Sequence, residues 1–259
     1  VSVTVEVAIM HPAARHALGY PYFPYYPVVL EILRSRLADN VLDAPCGPGW
    51  LGDMARRAIG REVQVDGIGP AALMAPASGY RRLTAHDLEA PLPVAAPYDA
   101  VVCSEALHRA PSPGSLVRGL HDALRPGGTL VLTAPNAGHV RTRLRTLARG
   151  VHADPWSGAA HAEGALFPLG FAQVHQLLAH HGLRDITLHA VAEPGRPGAL
   201  DRLLAWPARR YCQARLAQAQ DEDRRHFWRQ AGSDAAVFGR WLVVSARRPP
   251  RCANGATAP

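Results

Sequence analysis

The 259-residue sequence contains no lysine, so all 28 of its basic residues are arginine. Set against 21 acidic residues they leave a net charge of +7 and a pI of about 9.7. Such a balance invites a nucleic-acid partner. The arginines, however, accompany a richness in alanine, proline and glycine that marks a GC-rich coding bias, and charge alone argues weakly for any partner. A nucleic-acid partner is therefore not expected. Cysteine is sparse: Cys46, Cys103, Cys212 and Cys252 form no CxxC pair, which excludes a disulfide framework and points to free thiols in a reducing cytoplasm. No apolar run reaches the roughly 18 residues of a membrane helix. The opening segment lacks a basic stretch leading into an apolar one, so no secretory signal is expected.

What is present reads as one α/β domain. Apolar runs that predict strands (40–44, 62–68, 80–85, 98–103, 129–133, 185–192 and 238–246) alternate with helical patterns at 28–38, 50–54, 71–75, 114–124 and 171–181. Alternation of this kind implies a doubly wound, mostly parallel seven-stranded sheet with helices on both faces and its last strand antiparallel. Residues 1–27 form an aromatic strap, residues 28–246 the domain, and 247–259 a disordered tail. Two stretches, 137–168 and 195–235, interrupt the alternation as helical insertions, and such insertions commonly build substrate pockets.

The strongest chemical signal is VLDAPCGPGW, residues 41–50. A buried strand ends in Asp43, a tight turn follows, and a helix opens. Gly47 and Gly49 let a ligand approach the backbone, and the helix start offers free N–H groups. The segment resembles the first motif of the class I methyltransferases. HDLEAPLP (86–93), YDAVVCSEALHRAPSP (98–113) and LRPGGTLVLTAPN (124–136) resemble later motifs of that superfamily in the same order, and HHGLRDITLHA (180–190) matches more loosely. The resemblance implies an S-adenosyl-L-methionine site. Asp43, Ala44, Pro45, Cys46, Gly47 and Gly49 would hold the methionyl part, Asp87 and Leu88 the adenine, and Ser104 and Glu105 would lie beneath.

The chain departs from the pattern in three places. Pro45 replaces a glycine. The Glu-His pair expected after the fourth strand is His108-Arg109. The acid that holds the ribose is Asp66, with Gly67 and Ile68 beside it, or else the register places Gly69 there and no acid serves. On the acceptor side His108 and His161 are candidate bases, since methylation of a hydroxyl removes one proton. Tyr22, Tyr26, Arg109 and Arg141 are candidate acceptor contacts; the aromatics can equally pack on the core, and the arginine stripe 141, 145, 149 can be a solvated face. His152, Asp154, His161 and Glu163 match no standard ligand spacing, so no metal is expected.

The resemblance implies methyl transfer to a small-molecule acceptor, with O-methylation of a sugar, quinone or secondary metabolite first. N- or C-methylation stays open, as does a non-catalytic cofactor-binding scaffold, and a homodimer is compatible with either. A nicotinamide dehydrogenase would carry GxGxxG where this chain has PCGPGW.

Overall fold

The computed structural model describes residues 23–59, 63–71, 74, 79–87, 90, 92–93, 97–152, 166–192 and 195–250. Tyr22, Leu88, Asp154, His161, Glu163 and the tail from 251 lie outside the described residues. Seven strands make one sheet: β1 (Asn40–Asp43), β2 (Gln64–Gly69), β3 (Arg82–Ala85), β4 (Tyr98–Ser104), β5 (Leu124–Pro135), β6 (Arg184–His189) and β7 (Trp241–Arg247). Their order is β3-β2-β1-β4-β5-β7-β6. Only β7 is antiparallel to its neighbours, as the sequence implies.

Side chains alternate across a strand, so each strand feeds two cores. Val41, Val65, Ala100, Val102 and Val131 point to one face, under α1 (Tyr26–Ser35) and α2 (Trp50–Ile59). Leu42, Val101, Cys103, Leu130 and Leu132 point to the other, under α3 (Pro113–Ala123) and α5 (Phe171–His180). Helix α1 forms because Val29, Leu30, Ile32 and Leu33 recur at helical spacing, and all four are buried. Each contributes roughly 1.5–3 kcal/mol on leaving water. Ser112 caps α3 by accepting from Ser115 N–H, with Pro113 at the first helical position.

Among the described residues both insertions contain helices. The first holds α4 (Val140–Arg149), ended by Gly150 in a left-handed conformation. The second holds α6 (Ala199–Gln218), α7 (Glu222–Ala231) and the short α8 (Asp234–Val237). Strand β5 starts five residues earlier than the apolar run suggests. Gly127 has a positive φ of 81°, and its N–H donates to Arg248 O, which keeps the Pro126–Gly128 segment beside the end of β7. Arg248 also donates to the carbonyls of His121 and Leu124, so the chain is anchored one residue beyond β7. Among the described residues no helix is long and apolar enough to cross a membrane.

Candidate functional site

Strand order reverses between β1 and β4, and in open α/β sheets ligands sit outside the carboxyl ends of the strands at that point. The turn after β1 is tied down on both sides there. Ala44 N–H donates to Val102 O of β4, and Cys46 N–H donates to Ile68 O of β2, each at 2.9 Å. Gly47 (φ 48°) and Gly49 (φ 91°) carry the chain through left-handed conformations that favour glycine. A Cβ built on Gly47 meets no atom within 4 Å, so the turn leaves open space on that side.

Asp43 closes β1 and is fully buried on the α1/α2 face. Tyr80, just ahead of β3, donates its hydroxyl to Asp43 Oδ2 at 2.5 Å. Its ring carbons lie 2.7 Å from where a Cβ on Gly52 would stand and 2.9 Å from one on Gly67, where Leu83 and Cys46 crowd in as well. Burial pushes the Asp43 carboxyl up to about 8 against the Tyr80 hydrogen bond. Sequence reasoning missed Tyr80; the paired glycines beneath it are its one trace.

At the end of β4, Glu105 holds a left-handed backbone (φ 55°), uncommon for a non-glycine residue and concentrated at functional sites. Thr133 of β5 fixes it. Glu105 N–H donates to Thr133 O, and the Thr133 hydroxyl donates to Glu105 Oε1, both at 3.1 Å. Tyr25 is hydrogen-bonded to the same threonine, and its phenol is raised far above the ordinary range by burial first and by the Glu105 charge second. Three residues on, His108 is 4% exposed. Its Nε2 accepts from Arg109 Nε at 3.3 Å, and its carbonyl accepts from Leu166 and Phe167 N–H. Burial, with the Arg109 charge, pushes the imidazole down to about 4.

Several of the expected site residues have protein partners. Asp66 is not at a strand end: it pairs with Leu42 and Arg82 inside the ladder. Both carboxylate oxygens receive Arg81, at 2.9 and 2.6 Å, and Tyr98 adds a third bond at 2.9 Å. Burial raises this carboxyl, yet those donors outweigh it and hold it below the ordinary range. Gly67 and Ile68 are likewise covered inside β2, and Gly69 is the residue that ends it. Tyr26 is 1% exposed and stacked on Trp50 at 3.8 Å, filling the gap between α1 and α2. Arg141 forms a two-pronged ion pair with Asp201, at 2.7 and 2.8 Å, which clamps α4 to α6. Arg109 is exposed beside His108, and Asp87 is exposed just past β3.

The carboxyl ends of β4, β1, β2 and β3 are consecutive in the sheet and carry Ser104–Glu105, Asp43–Gly49, Gly69 and Asp87. At roughly 4.8 Å per strand they span about 14 Å, room for an extended nucleoside joined to an amino acid. Asp43 Oδ1 is buried with no partner among the described residues, and Gly47 borders open space. Both fit the group that the first motif implies.

Comparison with known proteins assigns the chain to a family. A family model described as a methyltransferase domain matches residues 19–188, more than half of the chain. The ubiquinone biosynthesis O-methyltransferase of Xanthomonas campestris pv. campestris is 34% identical over 128 residues, covering 45% of this chain and 52% of that protein. The chain thus spans about half the length of the curated relatives it matches. Among solved structures, the Haemonchus contortus phosphoethanolamine N-methyltransferase 2 matches with a TM-score of 0.52 at 13% identity, over 93% of this chain and 59% of that one. An O-methyltransferase family protein from Burkholderia thailandensis matches with a TM-score of 0.50 at 12% identity, over 88% and 56%. Motif order, strand order and family match converge: the chain belongs to the methyltransferase-domain family, within the class I S-adenosylmethionine-dependent superfamily.

Proposed function

We propose that this protein is an S-adenosylmethionine-dependent O-methyltransferase of a small acceptor, with a quinol or another phenol the best fit. One observation carries the reading. Asp43 Oδ1, Ser104 Oγ and His108 Nδ1 are buried without partners among the described residues, and all three stand at or just past the carboxyl ends of the paired strands β1 and β4. An orphaned buried polar group costs roughly 1–3 kcal/mol. Their gathering at the switch point supports a ligand that satisfies them.

Bound there, S-adenosylmethionine supplies a methyl group on a sulfonium, open to in-line attack by an oxygen nucleophile. The chain must bind, orient and handle one proton. Backbone around Gly47–Gly49 and the first turn of α2 would hold the methionyl part, and Asp87 with Leu88 the adenine. With Asp66 engaged elsewhere, the backbone at Gly69 is left to serve the ribose. His108 is the residue proposed to take the acceptor proton. An imidazole pushed down to about 4 is neutral near pH 7, as a base must be, but weak. A weak base suits an acidic hydroxyl, a phenol rather than a sugar alcohol. The name of the Xanthomonas relative, ubiquinone biosynthesis O-methyltransferase, supports that acceptor class.

The test is methyl transfer from labelled S-adenosylmethionine to a panel of catechols, quinols, sugars and amines, with products identified by mass spectrometry. Transfer to a phenolic oxygen is expected. Transfer to nitrogen or carbon alone would overturn the O-methyl reading, and tight cofactor binding without transfer would favour a scaffold.

A further inference from the structure

The Glu105 carboxylate stands where β4 alone would not put it. Ser104 pairs with Thr133, and alternation along β4 would send the next side chain to the opposite face of the sheet. The left-handed backbone at Glu105 (φ 55°) breaks that alternation, and Oε1 meets the Thr133 hydroxyl at 3.1 Å. Thr133 is fully buried, and its hydroxyl oxygen also accepts from the Glu105 N–H at 3.3 Å. A hydroxyl has one proton to give. Thr133 gives its proton to Glu105, so in the hydrogen bond between Tyr25 and Thr133 the phenol is the donor. The donors run one way, from Tyr25 through Thr133 to a carboxylate that only accepts.

Tyr25 is held firmly enough to keep that chain in place. It directly precedes α1 and is 1% exposed; its ring stacks on Phe23 at 5.2 Å and meets Trp241 edge-on at 5.4 Å. Burial keeps its phenol protonated, as a donor must be. The acids at the ends of β4 and β1, Glu105 and Asp43, both raise the Tyr25 phenol and the Cys103 thiol, so both lie within electrostatic reach of the same two side chains. That place is the switch point. The methyl donor carries a positive sulfonium, and the product left after transfer carries a neutral thioether, while the amino-acid and nucleoside parts of the two are the same. A carboxylate held within about 4–6 Å of the sulfur acts on that one difference and favours the cation.

We propose that Tyr25 and Thr133 are positioning residues: they hold the Glu105 carboxylate at the methyl donor, where its charge favours S-adenosylmethionine over S-adenosylhomocysteine. The inference rests on the methyl-transfer reading and adds to it how the site tells donor from product. Calorimetry with the two ligands, at one pH and without acceptor, gives the ratio of their affinities. Glu105→Gln should shift that ratio at least about tenfold against S-adenosylmethionine. Thr133→Val and Tyr25→Phe should each shift it the same way by at least about threefold. Thr133→Ser, which keeps the hydroxyl, should keep the wild-type ratio. Residues that only pack would weaken both ligands alike and leave the ratio where it is. Should Thr133→Val misfold, Tyr25→Phe, which removes a single oxygen, carries the same test. An unmoved ratio in Glu105→Gln or in Tyr25→Phe would overturn the inference and leave the methyl-transfer reading standing. Wild-type protein that binds neither ligand would overturn both.

Discussion

The Tyr80 hydroxyl and the Asp43 carboxyl group meet at 2.5 Å beside the glycine turn after β1, joining the segment before β3 to the end of β1. Burial pushes the Asp43 carboxyl from its ordinary value near 3.8 up to about 8. A carboxyl raised in this way keeps its proton in the folded state where the unfolded chain has lost it. Folding stability therefore falls as pH rises from about 4 to about 8 and levels off above. Asp43→Asn should flatten that slope and gain roughly 1–3 kcal/mol at pH 8. Tyr80→Phe, which removes the donor, should cost roughly 1–3 kcal/mol. Urea unfolding at several pH values checks both. A stability that rises across this interval would refute the assignment.

Gly47 is predicted to discriminate ligand binding from folding. Its φ of 48° disfavours any side chain, but a Cβ there meets no protein atom. Gly47→Val should cost roughly 1–2 kcal/mol of stability for the left-handed backbone. Its S-adenosylhomocysteine binding should vanish, because the side chain fills the space the ligand needs. Calorimetry on the folded variant decides, and wild-type affinity would move the site away from the turn.

Asp66 gives the opposite signature. Asp66→Ala leaves the Tyr98 hydroxyl and one side of Arg81 without their acceptor, so it should lower stability by roughly 1–3 kcal/mol. Cofactor affinity should stay within about twofold, since the carboxylate faces protein donors. A strong loss of affinity at unchanged stability would restore it as the ribose acid.

Asp66 also shows where the sequence stops speaking. The succession of strands and helices and the turn at 43–49 were legible because they depend on local pattern: apolar runs, an acid at a strand end, glycines where φ is positive. The ribose acid depends on register, and a shift of three residues along β2 exchanges Asp66 for Gly69. Nothing local fixes that; the Arg81 and Tyr98 contacts that do come from 15 and 32 positions away. Tyr26 and Arg141 stay open in the sequence for the same reason. An aromatic or a cation looks the same in sequence whether it meets a ligand, Trp50 or Asp201.

The last prediction concerns His108. Its Nε2 accepts from Arg109, so in this tautomer the ring proton is on Nδ1, the buried atom without a partner among the described residues. Taking a proton from the acceptor requires Arg109 to release Nε2, or the ring to exchange tautomers. If His108 is the base, His108→Ala should lower kcat about 10²–10⁴-fold with S-adenosylhomocysteine affinity unchanged. Burial and the Arg109 charge place its protonation near about 4, and the protonated ring cannot accept, so kcat/KM should stay flat from neutral pH to about 5 and fall only below. Arg109→Gln removes the smaller of the two causes, and should move that acid limb upward without carrying it to an ordinary histidine value. A residue that only packs would leave the limb where it is. Full activity in His108→Ala, or an unmoved limb in Arg109→Gln, would remove His108 from the reaction and leave the proton to solvent.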